Sequence, residues 1–176
     1  VSQSPDRSFL LFSSNRGDLN RQHIGKWKDL KITQITKGKG IEWSPVSDGL
    51  GNNFALGSSG LEPAAVKRLE QGKINTIFSS EDYPSSDLTL PEAVVFSAAD
   101  GVKIHGQLFL PKGLKTDQKN PALLFFHGGS RRQMLLGFHH RDYYHYAYAM
   151  NQYLASKGYI VLSVNYRSGT GYGLKF

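Results

Sequence analysis

Short apolar runs separated by turn-forming clusters mark the first ~80 residues as a series of strands. Residues 8–13 form the first run, closed by Asn15-Arg16-Gly17-Asp18. A weaker run follows at 22–27. Residues 30–36 alternate through Leu30 and Ile32 and, after one slip, Ile35, before Gly38 and Gly40 stop them. Residues 41–46 place Ile41 and Trp43 on one face and run into Asp48-Gly49, a strong turn pair. Runs at 53–56 and 74–78 complete the set, with a loop at 57–60 and a turn at Gln71-Gly72. Residues 64–70 fit either element: Val66 and Leu69 sit at helical spacing, while the neighbouring runs favour a strand. Strands at this interval predict a sandwich, a barrel or propeller blades.

The period changes after a polar, Pro/Ser-rich stretch at 79–91, which reads as a linker. Residues 93–96 and 102–110 are predicted strands joined by Asp100-Gly101 into a hairpin, followed by a polar loop at 112–120. Residues 121–126, Pro-Ala-Leu-Leu-Phe-Phe, are continuously apolar and predict a strand buried on both faces. Tyr146, Met150, Tyr153 and Leu154 recur at helical spacing within 143–157, and Gly158 stands where a helix-ending glycine belongs. Residues 159–164 are a second continuously apolar run. Residues 121–164 therefore predict a βαβ unit with parallel strands. The expected fold class is an all-β segment followed by an α/β segment, with a domain boundary near residue 90.

Composition narrows the class without naming it. With 39% hydrophobic and 20% charged residues, the 176-residue chain can bury a core, which excludes wholesale disorder. No apolar run approaches the ~20 residues of a membrane-spanning helix, so no membrane partner is expected. The start, VSQSPDRS, lacks the charged-then-apolar pattern of a secretory signal, and the compartment stays open. The chain begins with Val1, and the expectation is an internal piece of a longer protein. Absence of cysteine excludes disulfides, Cys-ligated metal sites and a thiol nucleophile. The net charge of +7 divides unevenly: residues 1–90 carry 11 basic and 10 acidic groups, residues 91–176 carry 10 and 4. Adjacent Lys/Arg pairs occur only at Lys67-Arg68 and Arg131-Arg132, a pattern that does not build a nucleic-acid surface.

The segment richest in chemistry is His127-Gly128-Gly129-Ser130, directly after the apolar run at 121–126. The carboxyl ends of parallel strands are where ligands and reacting groups collect in open α/β sheets. Two adjacent glycines leave backbone N–H groups uncovered by side chains, and such groups can be aimed at an oxyanion. The alternative is a Gly-Gly turn that merely lets the chain leave the sheet. A second glycine-rich segment, residues 165–173, lacks the Gly-Lys-Ser/Thr ending of a phosphate loop. Its Gly169-x-Gly171-x-Gly173 spacing also misses the dinucleotide fingerprint, so it is either structural or borders a site, and no cofactor is expected. His139, His140 and His145 lack an accompanying metal-binding carboxylate pattern, so no metal is expected. Arg131-Arg132 reads as a solvated pair whose position would also suit a substrate carboxylate. Gly57 to Gly60, GSSG, is not a nucleophile elbow, and G-x-S-x-G occurs nowhere in the chain.

Three stretches resemble the prolyl oligopeptidase family of serine peptidases, particularly its dipeptidyl-peptidase and acylaminoacyl-peptidase-like bacterial members. They are residues 90–113, residues 121–130 (PALLFFHGGS) and residues 151–176 (NQYLASKGYIVLSVNYRSGTGYGLKF). Residues 13–27, 40–49 and 74–84 resemble the family's last propeller blades more loosely. The order Arg167-Ser168-Gly169 departs from the family's Arg-Gly-Ser. The resemblance implies that residues 1–85 are C-terminal blades of a β-propeller and that residues 86–176 begin an α/β-hydrolase domain. It implies a parent enzyme that hydrolyses short peptides through a Ser–Asp–His triad. By position, Gly129 N–H would be the oxyanion donor, with His127 and Gly128 shaping the loop. Some family members use a Tyr side chain at the position of His127; with His there, a backbone donor is expected. The triad would lie beyond Phe176, and the isolated piece is expected to be inactive. The alternatives are a carboxylesterase or amidase with the same loop, or a non-catalytic propeller-based binding protein.

Overall fold

Alternating apolar positions organise the first eight strands into two antiparallel meanders. A computed structural model describes residues 1–70, 72–79, 83–115 and 117–176. Gln71 of the expected turn, residues 80–82 of the expected linker and Thr116 of the expected loop lie outside them. The chain forms two compact units, Val1–Tyr83 and Pro84–Phe176.

In the first unit, β1 (Ser2–Gln3), β2 (Leu10–Ser14), β3 (His23–Lys28) and β4 (Lys31–Gln34) pair in chain order. So do β5 (Ile41–Ser47), β6 (Asn53–Ser58), β7 (Ala65–Glu70) and β8 (Lys73–Phe78). Two consecutive four-stranded meanders are consistent with a partial β-propeller. The ambiguous stretch at 64–70 is a strand: alternation buries Ala65, Lys67 and Leu69. Leu30, expected in a strand, is a turn residue instead. Asp29 and Leu30 both take positive φ, 49° and 60°, the conformation a two-residue hairpin requires between the paired Lys28 and Lys31. Pro45 is tolerated inside β5 because the register shifts between Trp43 and Val46, a bulge that spares a ladder donor.

Leu11 and Ile24 of one sheet cluster with Ala55 and Leu69 of the other, and Phe9, Ile35 and Ile74 pack against them. Beside this apolar seam lies a buried polar cluster. The Thr36 hydroxyl donates to the Glu42 carboxylate at 2.7 Å and accepts the Ile24 N–H at 2.8 Å. The His23 ring nitrogen Nδ1 lies 2.9 Å from the same carboxylate oxygen. Ser13 donates to the Glu42 carbonyl at 2.7 Å. One acidic residue on β5 is thus held from β2, β3 and the 36–40 connection.

The second unit is a mixed sheet with one helix. Its strands are β9 (Glu92–Ser97), β10 (Lys103–Phe109), β11 (Ala122–Phe126) and β12 (Ile160–Asn165), in the order β11-β12-β10-β9. β11 and β12 are parallel, with helix α1 (Asp142–Ser156) between them in sequence; the other pairs are antiparallel. The helix ends as its sequence requires. Gly158 adopts φ 94°, its N–H bonds Ala155, and the Tyr159 N–H reaches back to Leu154, a Schellman arrangement.

One expectation is corrected here, on the burial of residues 121–126. The buried face of α1 is formed by Tyr144, Tyr148, Asn151, Gln152 and Ala155, while Tyr146, Met150 and Tyr153, which carry the helical spacing in the sequence, are exposed. Tyr148 packs edge-on against Phe109 of β10 and against Phe138, so aromatic geometry and not apolar count sets the helix rotation. Residues 121–126, expected to be buried on both faces, form the edge strand β11, whose Leu124 and Phe126 are 65% and 57% exposed. Only β12 pairs with β11 among the described residues, and the face that carries these two side chains has no helix over it.

Removing one partner from the Glu42 cluster leaves a buried acidic group short of a donor. His23→Ala is expected to lower stability by about 3–5 kcal/mol, read from denaturant midpoints, while the exposed Lys28→Ala changes little.

Candidate functional site

His127, Gly128 and Gly129 emerge from the carboxyl end of β11, beside the end of its parallel partner β12. The His127 ring is buried and Gly128 and Gly129 are exposed. Gly129 adopts φ 63°, the left-handed region that glycine enters without steric cost, so the second glycine is required by the turn. An added Cβ at Gly128 would meet nothing within 4 Å. The two glycines therefore differ: one shapes the backbone, the other keeps it uncovered.

His127 lies flat against Tyr166, with ring centroids 4.4 Å apart, and Tyr144 approaches it edge-on. Neither ring nitrogen of His127 has a hydrogen-bond partner among the described residues. Burial is the largest influence on its pKa and lowers it, and the ring packs into the unit. Two tyrosines hold the loop. The Tyr144 hydroxyl on α1 donates to the Gly128 carbonyl at 2.7 Å. The Tyr166 hydroxyl, just past β12, donates to the His127 carbonyl at 2.7 Å and passes the Gly129 carbonyl at 3.5 Å.

The return segment is fixed by Asn165, the last residue of β12. Its side chain accepts the Met134 N–H at 2.7 Å and donates to the Met134 carbonyl at 3.0 Å, as a neighbouring strand would. It also lies 2.9 Å from the Tyr172 hydroxyl, and Tyr172 stacks on His105. The second glycine segment packs against the same return. A Cβ on Gly169 would fall 2.8 Å from the Arg132 carbonyl, and one on Gly171 would enter the Gln133 side chain. Thr170 N–H bonds the Arg132 carbonyl. Its glycines are thus explained by close approach to residues 132–133. Arg167 forms a two-pronged ion pair with Asp100 of the β9–β10 turn.

His139 and His140 stack at 4.2 Å, and His145 packs on Phe138. Among the described residues no three His, Asp or Glu side chains are grouped as metal ligands. His139 accepts the Arg141 N–H through Nδ1. Its pKa falls to about 3, first from burial and then from the neighbouring His140. Among the described residues no helix is long and apolar enough to cross a membrane.

No family model matches the chain. It is 33% identical over 89 residues to the uncharacterized peptidase YuxL of Bacillus subtilis (strain 168), covering 51% of this chain and 12% of that protein. It is 32% identical over 112 residues to the dipeptidyl aminopeptidase BIII of Pseudoxanthomonas mexicana, covering 60% and 15%. The chain is related to the prolyl oligopeptidase-family peptidases. A puromycin-hydrolyzing peptidase of Mycobacterium tuberculosis shares its fold, with a TM-score of 0.73 at 20% identity over 97% of this chain and 26% of that one. The chain thus spans about an eighth of these curated relatives' length and a quarter of that structure.

Sequence reading singled out His127, Gly128 and Gly129 and missed Tyr144 and Tyr166, which hold their carbonyls, and Asn165, which holds the returning segment at Met134. The signals were present: a polar Asn closing an apolar strand, and tyrosines one turn from a helix start and one residue beyond a strand end. Gly129→Ala forces a side chain into the left-handed region and is expected to cost about 1–2 kcal/mol, while Gly128→Ala is nearly neutral to folding; paired thermal melts check both.

Five histidines of the second unit (His105, His127, His139, His140 and His145) have lowered pKa values, burial being the largest cause in each. The unfolded chain takes up protons near the ordinary value of 6.5, and the folded chain resists until lower pH, about 3 for His139. Stability is fully present above 6.5 and is lost as pH falls through that window. Denaturant midpoints are expected to drop between pH 7.5 and 4.5, and His139→Gln flattens the drop.

Proposed function

We propose that this chain is the part of a prolyl oligopeptidase-family serine peptidase that carries the oxyanion loop. In this reading residues 1–85 are C-terminal blades of a β-propeller, and residues 86–176 open an α/β-hydrolase domain. The observation that carries it is the placement of His127-Gly128-Gly129: beyond a parallel strand's carboxyl end, with exposed backbone at both glycines and Gly129 at φ 63°.

The chemistry follows from that backbone. A serine hydroxyl attacks a peptide carbonyl, a histidine takes its proton and returns it to the leaving amine, and the carbonyl oxygen gains negative charge in between. Gly129 N–H is the donor that meets this charge; losing one such donor costs about 10²–10³ in kcat. Gly128 keeps the approach open. The His127 ring is buried and stacked on Tyr166, away from solvent, which favours a backbone donor over a side-chain one. The chain contains no G-x-S-x-G for the nucleophile, and in an α/β-hydrolase the Asp and His follow the Ser in chain order, so the triad belongs to parts of the parent outside these 176 residues. Its substrates are short peptides, and no metal or organic cofactor takes part.

The parent protein is expected to react stoichiometrically with a fluorophosphonate serine probe and to cleave peptide amides, while the 176-residue chain alone does not label. Faster turnover of esters with no peptide cleavage would move the assignment to a carboxylesterase. A parent that neither labels nor hydrolyses would make it a binding protein.

A further inference from the structure

We infer that Tyr144 and Tyr166 are positioning residues that aim the two glycine N–H groups of the loop, each through the carbonyl of the same peptide plane. This deepens the oxyanion reading above and rests on it. In a trans peptide the C=O and the following N–H are rigidly coplanar and point to opposite sides. Fixing the direction of a carbonyl therefore fixes the direction of the next residue's N–H. Tyr144 holds the Gly128 carbonyl at 2.7 Å and thereby orients the Gly129 N–H. Tyr166 holds the His127 carbonyl at 2.7 Å and thereby orients the Gly128 N–H.

The need for such anchors comes from the glycines themselves. Without side chains, a Gly-Gly pair has the widest choice of backbone angles of any dipeptide, and a peptide plane between them can rotate at little cost. A donor that must reorganise as charge develops loses much of its benefit. The two hydroxyls remove that freedom from two separate elements: Tyr144 from α1 and Tyr166 from just past the end of β12. Both anchors are rigidly mounted. Tyr144 is 7% exposed within the buried face of the helix. The Tyr166 ring is stacked on His127, and its neighbour Asn165 is tied to both polar backbone groups of Met134. The histidine thus serves as the flat bed on which the second anchor lies.

The test uses the full parent protein with Tyr144→Phe and Tyr166→Phe, which keep the rings and remove only the hydroxyls. Tyr146→Phe, exposed on the same helix, is the control. Each anchor variant is expected to lose about tenfold or more in kcat with KM changed less than about twofold, a fraction of the loss for deleting a donor outright. Affinity for a peptide boronate, whose tetrahedral adduct places an oxyanion in the hole, should fall in parallel, while ground-state affinity for the uncharged substrate amide, read as KM, stays level. The ratio of these two affinities is read on folded protein, so a variant of reduced stability still reports. An active wild type whose anchor variants keep its kcat and its affinity ratio overturns the positioning role alone. A wild type that neither labels nor turns over overturns the hydrolase reading and this assignment with it.

Discussion

The second unit depends on one side-chain amide. Asn165 ends β12 and offers the Met134 backbone the acceptor and donor that another strand would supply. Its oxygen and nitrogen are both used, and it is 2% exposed, so the interaction is shielded from competing water. Through it, the segment returning from the His127-Gly128-Gly129 turn is held to the sheet without joining the ladder. Tyr172, within reach of the same amide, fastens the second glycine segment to His105 of β10. Three stretches far apart in sequence therefore converge on one residue. Replacing it by an apolar residue of similar size would leave the Met134 N–H and C=O buried without partners, a larger penalty than the loss of the bonds themselves.

Polar groups recur in this interior because the covered face of the sheet receives loops as well as a helix. Gln107 of β10 donates to the Leu135 carbonyl, and Gln152 of α1 to the Thr89 carbonyl at 3.2 Å. Each satisfies a backbone group in a connection that lacks a ladder of its own. The aromatic contacts fill the space between. Phe109, Tyr148 and Phe138 pack edge to face, and all three are fully buried. The first unit solves a similar problem with one carboxylate, around which strands of two sheets and a connection gather.

Most of this architecture was legible in the chain. Period-two alternation and Gly/Asp turns located the long strands of the first unit, and two charge-free apolar runs flanking a helical stretch located β11, α1 and β12. Boundaries failed where a local requirement outweighed hydropathy, as at Leu30, which the hairpin turn claims from the strand. The two-residue β1 was too short to give a pattern. The buried helix face was not legible because its stripe contains Asn151 and Gln152, whose burial depends on partners far along the chain, while the exposed stripe is the more apolar one. The same limit hid the anchors of the candidate site. Glycines announce a loop by composition, but hydroxyls that grip its carbonyls from 16 and 39 residues away are visible only once the chain is folded.

The exposed edge at β11 has a meaning for how this part of the chain reaches its fold. Ala-Leu-Leu-Phe-Phe carries no charge, no proline within the strand and no bulge, so it has none of the usual guards against pairing with a stranger. Among the described residues its backbone pairs with β12 alone. During synthesis and refolding such a segment is in a race, because every moment its free side stays uncovered it can template a like strand from another molecule. The stretch that leads directly into the candidate site is also the stretch with most to lose from crowding.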